Sequence, residues 1–180
     1  MRIISGTFGG RRIDPPGHMP HTRPTTDIAK SGLFNILQHQ VDLHGLKTLD
    51  LFGGTGAITY ELASRGAKDL TIVEKDPPMA DFIQQTGDKL GIRELKLVRS
   101  DVFIFLRACR ETFGFIFAGP PYALANIDDL PAQACALLAP GGWFVLEHTP
   151  RNNYKEYPLF RQERAYGTTI FSFFIRDSSE

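Results

Sequence analysis

Cysteine is scarce. The 180-residue chain carries two, Cys109 and Cys135, and they match no metal-ligand spacing. Both fall in expected helices and read as small apolar core residues. That excludes a disulfide scaffold and a cysteine-based metal centre, so a reducing cytoplasm is the simplest compartment. There is no surplus charge of either sign: 20 Lys and Arg balance 20 Asp and Glu. The chain as a whole therefore exerts no pull on nucleic acid, and any such contact must come from a local patch. No apolar run approaches a membrane span, and Ile3-Ile4 after Arg2 is far too short for the core of a signal peptide. Internal repeats and low-complexity segments are absent. So are two common nucleotide signatures, the dinucleotide G-x-G-x-x-G and the phosphate loop G-x-x-x-x-G-K-[ST].

Hydrophobic residues make up 42% and charged residues 22%, ordinary proportions for one globular domain with one sizeable core. The organising stretch is Lys47-Thr48-Leu49-Asp50-Leu51-Phe52-Gly53-Gly54-Thr55-Gly56. An apolar run ends in an acid, a glycine cluster follows, and Ala57 to Arg65 is compatible with a helix. That pattern predicts a strand, a tight turn and a helix start, the first unit of an open α/β sheet. Glycines let a backbone pass close to a ligand, and a helix start offers free N–H groups. A nucleotide-like cofactor is therefore expected here, although glycine-rich turns also occur as mere connections. The spacing resembles the D-x-F-x-G-x-G signature of class I S-adenosylmethionine (SAM) methyltransferases. The resemblance implies that Asp50 accepts hydrogen bonds near the methionine end, with Phe52, Gly53, Gly54 and Gly56 forming the cofactor loop.

The remaining chain repeats the strand–helix alternation. Residues 1–24, rich in Gly, Pro, Arg and His, are expected to form a basic hairpin or extension. Residues 25–180 form the cofactor-binding domain. From Met1 to Lys30 five basic residues face two acids. Guanidinium groups pair bidentately with phosphate, so Arg11, Arg12 and Arg23 are candidate RNA-backbone contacts; a plain solvated arm is the alternative. A helix is predicted from Thr25 or Thr26, as N-cap, to about Gln38. Gly32 inside it costs about 1 kcal/mol unless close packing requires it.

The second strand, Asp69–Glu74, ends in an acid 24 positions after Asp50, where this fold uses a carboxylate on the ribose hydroxyls. Pro77 and Pro78 open a helix that stops at Gly91. The third strand, Leu95 to Arg99, leads into Ser100-Asp101-Val102. Asp101 there suits both an adenine amino group and the N-cap of a helix predicted from Val102 to Glu111. Phe113 to Ala118 is a continuous apolar run, as in a strand buried on both faces. It ends in Gly119-Pro120-Pro121-Tyr122, whose two prolines fix a rigid loop. A helix from about Ile127 to Leu138, a turn at Pro140-Gly141-Gly142, a strand from Trp143 to Glu147, and a hairpin of Phe160–Tyr166 with Thr168–Ile175 complete the reading.

Taken together, the chain resembles the RsmD family of bacterial 16S ribosomal RNA guanine-N2 methyltransferases. The pieces are Arg2-Ile3-Ile4-Ser5-Gly6, Gly10-Arg11-Arg12, Thr22-Arg23-Pro24-Thr25-Thr26-Asp27, the Asp50–Gly56 loop, Val73-Glu74-Lys75-Asp76, Pro120-Pro121-Tyr122 and Tyr166-Gly167-Thr168. The resemblance covers nearly the whole length. It implies a Rossmann-like, mostly parallel sheet of seven strands with an antiparallel C-terminal hairpin and a small N-terminal β extension. It further implies SAM as cofactor, 16S rRNA of the small subunit as partner and a guanine N2 as acceptor; a monomer is expected. Neither metal nor membrane is implied.

One position departs from the pattern. Amino-methylating families carry [DN]-P-P-[YF], and this chain has Gly119 where the acid or amide stands. The family's acid or amide, with a neighbouring carbonyl, binds the N–H groups of a delocalised, poorly nucleophilic amine, while the aromatic ring stacks on the base. With glycine, the loop keeps only backbone acceptors there. Glu147 and Asn126 are candidate replacements. Two other functions stay open: a catalytically weak SAM- or RNA-binding homologue, and a methyltransferase for another amine in DNA, protein or a small molecule.

Overall fold

The computed structural model describes residues 1–17 and 24–179. Seven strands form one sheet in the order β3-β2-β1-β4-β5-β7-β6. They are β1 (Lys47–Leu51), β2 (Asp69–Val73), β3 (Leu95–Val98), β4 (Phe113–Ala118), β5 (Leu138–His148), β6 (Phe160–Tyr166) and β7 (Thr169–Ile175). Strands β1 to β5 pair in parallel, and β7 runs antiparallel between β5 and β6. The helices are α1 (Asp27–Gln40), α2 (Ala57–Ser64), α3 (Pro77–Leu90), α4 (Val102–Ala108) and α5 (Leu130–Cys135). This is the Rossmann-like architecture with a C-terminal antiparallel hairpin that the sequence predicts.

Alternation along the central strands divides the core into two layers. Phe115, Phe117, Trp143 and Val145 pack with α1, α2 and residues 3 and 13 on one face. Ile116, Ala118, Phe144 and Leu146 pack with α4 and α5 on the other. Successive side chains of a strand point to opposite faces, so strands flanked by helices on both sides must be apolar throughout. Gly32 is explained by packing: a Cβ there would lie 2.2 Å from the Tyr166 ring of β6. The start of α3 is sealed by Asp76, which accepts from the Met79 N–H at 3.2 Å, and its end by Gly91 at φ +72°.

The N-terminal hairpin forms one antiparallel bridge, Arg2 to Arg12, and not two strands. Backbone hydrogen bonds cross it, from the Ile3 N–H to the Arg11 carbonyl at 3.0 Å, Gly10 to Ile3 at 2.8 Å and Ile13 to Met1 at 2.9 Å, and side chains of α1 and α2 hold it to the domain. The buried Glu61 carboxylate accepts from the N–H groups of Ile4 and Ser5 at 2.9 and 3.1 Å. Lys30 Nζ lies 3.4 Å from the same carboxylate and donates to the Arg2 carbonyl at 2.7 Å. Arg65 Nε donates to it at 2.9 Å. A carboxylate taken out of water needs such partners, and these fix the hairpin against α2.

Three element boundaries differ from expectation. Helix α4 stops at Ala108, because Cys109 turns extended and the chain must reach β4 at Phe113. The predicted helix from Ile127 to Leu138 is a 3₁₀ turn, Ile127–Asp129, followed by the short α5. It ends early because Leu138 already pairs with Phe113. Pro140-Gly141-Gly142 lies inside β5 and not before it. The register shifts there, and the Gly141 N–H donates to the Arg176 carbonyl at 2.9 Å, tying the irregular segment to the end of β7.

Candidate active site

The strand order reverses at β1. β2 and β3 lie on one side, β4 and β5 on the other, so a crevice opens at the carboxyl ends of β1 and β4. A cleft of ≈ 1190 Å³ occupies that position. It is lined by Asp50, Phe52, Gly53, Gly54, Glu74, Asp101, Val102, Gly119, Pro120, Pro121 and Tyr122. Residues spread over some seventy positions of sequence thus meet in one place. Gly56 starts α2 beside the cleft without lining it. Arg11 and Arg12 lie on the hairpin outside it, exposed and without ion-pair partners among the described residues. Arg23 lies outside the described residues.

The β1 turn is held in left-handed conformations. Phe52, Gly54 and Gly56 have φ of 62°, 57° and 82°. For Phe52, a non-glycine residue, this costs roughly 1 kcal/mol and marks a constrained site. Gly53 and Gly56 have a reason for being glycine that the sequence did not show. A Cβ at 53 would meet Ile72 Cγ1 at 2.6 Å, and one at 56 would meet the Tyr60 ring at 2.4 Å. The loop sits directly on its own core while its other side faces the cleft.

Three acids stand at the ends of three adjacent strands. Asp50 is buried, and Thr59 Oγ1 donates to its Oδ2 at 2.7 Å. Burial pushes its carboxyl up to about 8; the Thr59 hydrogen bond opposes this and the Glu74 charge adds to it. Glu74 follows β2, and backbone amides fix both its oxygens. The N–H of Gly54 donates to Oε1 at 2.7 Å and that of Asp76 to Oε2 at 2.9 Å. Asp101 follows β3 and caps α4. The Phe103 and Ile104 N–H groups both donate to its Oδ1, at 2.9 and 3.1 Å. Capping through Oδ1 leaves Oδ2 for a second donor, so the two sequence readings of Asp101 are compatible. Neighbouring strands lie about 4.8 Å apart, so the acids form a row suited to an elongated, donor-rich, cationic ligand.

Across the cleft stands the Gly119–Tyr122 loop. The Tyr122 hydroxyl donates to Glu147 Oε2 at 2.9 Å and lies 3.4 Å from Thr169 Oγ1. Thr25 Oγ1 donates to the other Glu147 oxygen at 2.5 Å. Thr26 is the N-cap of α1, accepting from the Ala29 N–H at 3.2 Å, which frees Thr25 for this contact. Among the described residues, a Cβ at Gly119 would meet the Phe117 ring, Cε1 at 3.1 Å and Cζ at 3.6 Å.

Several lining residues escaped the sequence reading, among them Pro24, Thr25, Ile104 and Arg107. One signal was available for Ile104. The run Val102-Phe103-Ile104-Phe105-Leu106 has no polar stripe, so a short helix must leave one apolar side chain outward. Ile104 is 56% exposed and faces the cleft. Among the described residues no group of His, Cys, Asp and Glu is arranged to hold a metal ion, and no helix is long and apolar enough to cross a membrane.

Residues 1–175 match the family described as Conserved hypothetical protein 95. The chain belongs to that family. The chain is similar to ribosomal RNA small subunit methyltransferase D of Escherichia coli K12, 29% identical over 147 residues, or 82% of this chain and 71% of the relative. A hypothetical protein of Thermus thermophilus superposes with a TM-score of 0.82 at 29% identity, over 97% of this chain and 98% of that one. The fold extends to a 16S rRNA N2 methyltransferase of the same organism, RsmC, solved with AdoMet and guanosine. That match has a TM-score of 0.69 at 24% identity, over 84% of this chain and 44% of that one. In this chain the turn after β1 and the Gly119–Tyr122 loop line one crevice.

Proposed function

We propose that this protein is a SAM-dependent methyltransferase that modifies the exocyclic N2 of a guanine in 16S rRNA of the small ribosomal subunit. The observation that carries the reading is the row of Asp50, Glu74 and Asp101 facing a rigid Pro-Pro-Tyr loop at the point where strand order reverses. Kinship with proteins named for small-subunit rRNA methylation supports the substrate.

The residues present fit SAM. Glu74, held by two backbone amides, offers its remaining lone pairs to the ribose hydroxyls. Asp101 Oδ2 takes the adenine amino group beside Val102 and Ile104. Asp50, buried and without a cation, meets the ammonium at the methionine end, where a positive charge draws its proton off. Bound SAM supplies an electrophilic methyl group on a sulfonium. On the acceptor side Tyr122 stacks on the base, an interaction worth about 1–3 kcal/mol for nucleobases. The loop carbonyls accept from the amine N–H and turn its lone pair toward the methyl carbon. The base leaves its stack to get there. Transfer would form the N2–carbon bond as the sulfur–carbon bond breaks, leaving a neutral thioether, and the methylated amine would lose its proton to solvent.

Arg11 and Arg12, on the basic N-terminal extension, contact the RNA backbone, with Arg23 at the cofactor carboxylate or an RNA phosphate. The protein works as a monomer in the cytoplasm, without metal or membrane.

Gly119 favours a second reading, a SAM-binding homologue with weak transfer, since losing one positioned hydrogen bond can cost on the order of 10²–10³ in rate. One experiment separates the two. Labelled SAM is offered to small-subunit particles that lack the modification, with the natural protein and Gly119→Asp compared. Transfer by the natural protein supports the enzyme. Transfer by Gly119→Asp alone, with SAM bound by both, establishes the weak homologue. Transfer by neither rejects the rRNA substrate.

A further inference from the structure

The Gly119–Tyr122 loop has an anchoring problem. Its base is held, with Pro120 buried and Leu124 packed on the core, but residue 119 has no side chain, and Pro121, Ala123, Ala125 and Asn126 are exposed, so the Tyr122 side chain needs its own support. An aromatic ring at the edge of such a loop is free to turn about its side-chain torsions unless something holds its far end. Glu147 does so. It sits at the carboxyl end of β5, registered with Phe171 of β7, and is 3% exposed. The strand lies inside the sheet, flanked by β4 and β7. Its Oε2 accepts from the Tyr122 hydroxyl at 2.9 Å and its Oε1 from Thr25 at 2.5 Å. Thr169 Oγ1 at 3.4 Å flanks the phenol from β7.

We propose that Glu147 is the positioning residue of the acceptor site. It fixes the direction of the Tyr122 ring axis from β5, and through Thr25 it ties that ring to the chain entering α1, where Pro24 lines the same cleft. Its burial keeps it from serving as the amine's own acceptor, the role considered for it from sequence. The proposal rests on the reading that Tyr122 receives the base, and it gives that site its source of order in the absence of a side chain at 119. A ring whose far end is held at one point presents its face at one place in the cleft, and misplacement by about 1 Å costs on the order of 100-fold in rate.

The test has two arms. In the first, 3-fluorotyrosine is incorporated and the Tyr122 fluorine resonance is assigned by its loss in Tyr122→Phe. In Glu147→Gln this resonance should move and broaden, while those of Tyr60, Tyr154, Tyr157 and Tyr166 stay in place. An unmoved Tyr122 signal overturns the proposal, whatever the substrate proves to be. In the second arm, Glu147→Gln and Tyr122→Phe should each lower kcat for methyl transfer by about 10- to 100-fold with SAM affinity unchanged. The double variant should be no slower than the slower single one. Multiplying effects, or loss of SAM affinity together with kcat, would mean a general structural role and overturn the proposal. If Glu147→Gln does not fold, Tyr122→Phe decides: a lower kcat with intact SAM binding supports the tether, and an unchanged kcat refutes it. If the natural protein transfers no methyl to rRNA, the functional reading fails, and the fluorine arm still decides the tether.

Discussion

Asp50→Asn tests the electrostatics of the cleft floor. Burial lifts the Asp50 carboxyl from 3.8 to about 8, so the folded protein keeps this proton at pH values where the unfolded chain has lost it. The folded state then binds more protons than the unfolded state between those limits. Stability therefore falls as pH rises through that window and levels off above pH 8. Between pH 7 and 8 the loss is about 1 kcal/mol. For a domain of this size that lowers Tm by roughly 2–4 °C. His148 also shifts, downward, chiefly through burial, so its effect lies below its ordinary 6.5 and outside the window. Asn keeps the shape and can still accept from Thr59 without titrating. Thermal unfolding of both proteins from pH 6.8 to 8.2 should show the decline in the natural protein and its absence in Asp50→Asn. Saturating SAM should remove the decline, because its ammonium stabilises the carboxylate. Parallel curves for the two proteins would refute the assignment of that titration to Asp50.

Other perturbations follow from single contacts. Glu74→Gln replaces a carboxylate held by two amides and should weaken SAM binding about tenfold, at 1.4 kcal/mol per decade, measured by calorimetry. Gly32→Ala drives a methyl group against the Tyr166 ring and should cost about 1–3 kcal/mol of stability in a denaturant titration. Replacing Arg11 and Arg12 with Ala should weaken RNA binding and flatten its salt dependence, by about one per lost phosphate contact, with SAM affinity unchanged. Gly119→Asp places its Cβ 3.1 Å from Phe117 Cε1, so a small ring shift should admit it. Its kcat should rise, with a stability loss of about 1 kcal/mol.

What could be read from the sequence follows a physical line. The α3 boundaries were legible because the two prolines and Gly91 are local start and stop signals. β4 and the β6–β7 hairpin were legible because their side-chain patterns are local too. The row of Asp50, Glu74 and Asp101 was legible because a parallel α/β sheet brings strand ends together wherever the alternation repeats. The extent of β5 was hidden, since Pro140-Gly141-Gly142 reads as a turn, and only pairing with β4 and the β7 end makes it strand. The work of Glu61 was hidden as well: its partners Ile4 and Ser5 lie more than fifty positions away. Glu147 was noticed for its place at a strand end, but its bonds to Tyr122 and Thr25 join three distant segments, and no periodicity encodes them.

The most direct measurement is the identity of the methylated nucleoside after a single turnover with labelled SAM on unmodified small-subunit particles. Digestion and mass spectrometry should find one N2-methylguanosine in 16S rRNA. A label on another atom, on protein, or nowhere would contradict the account.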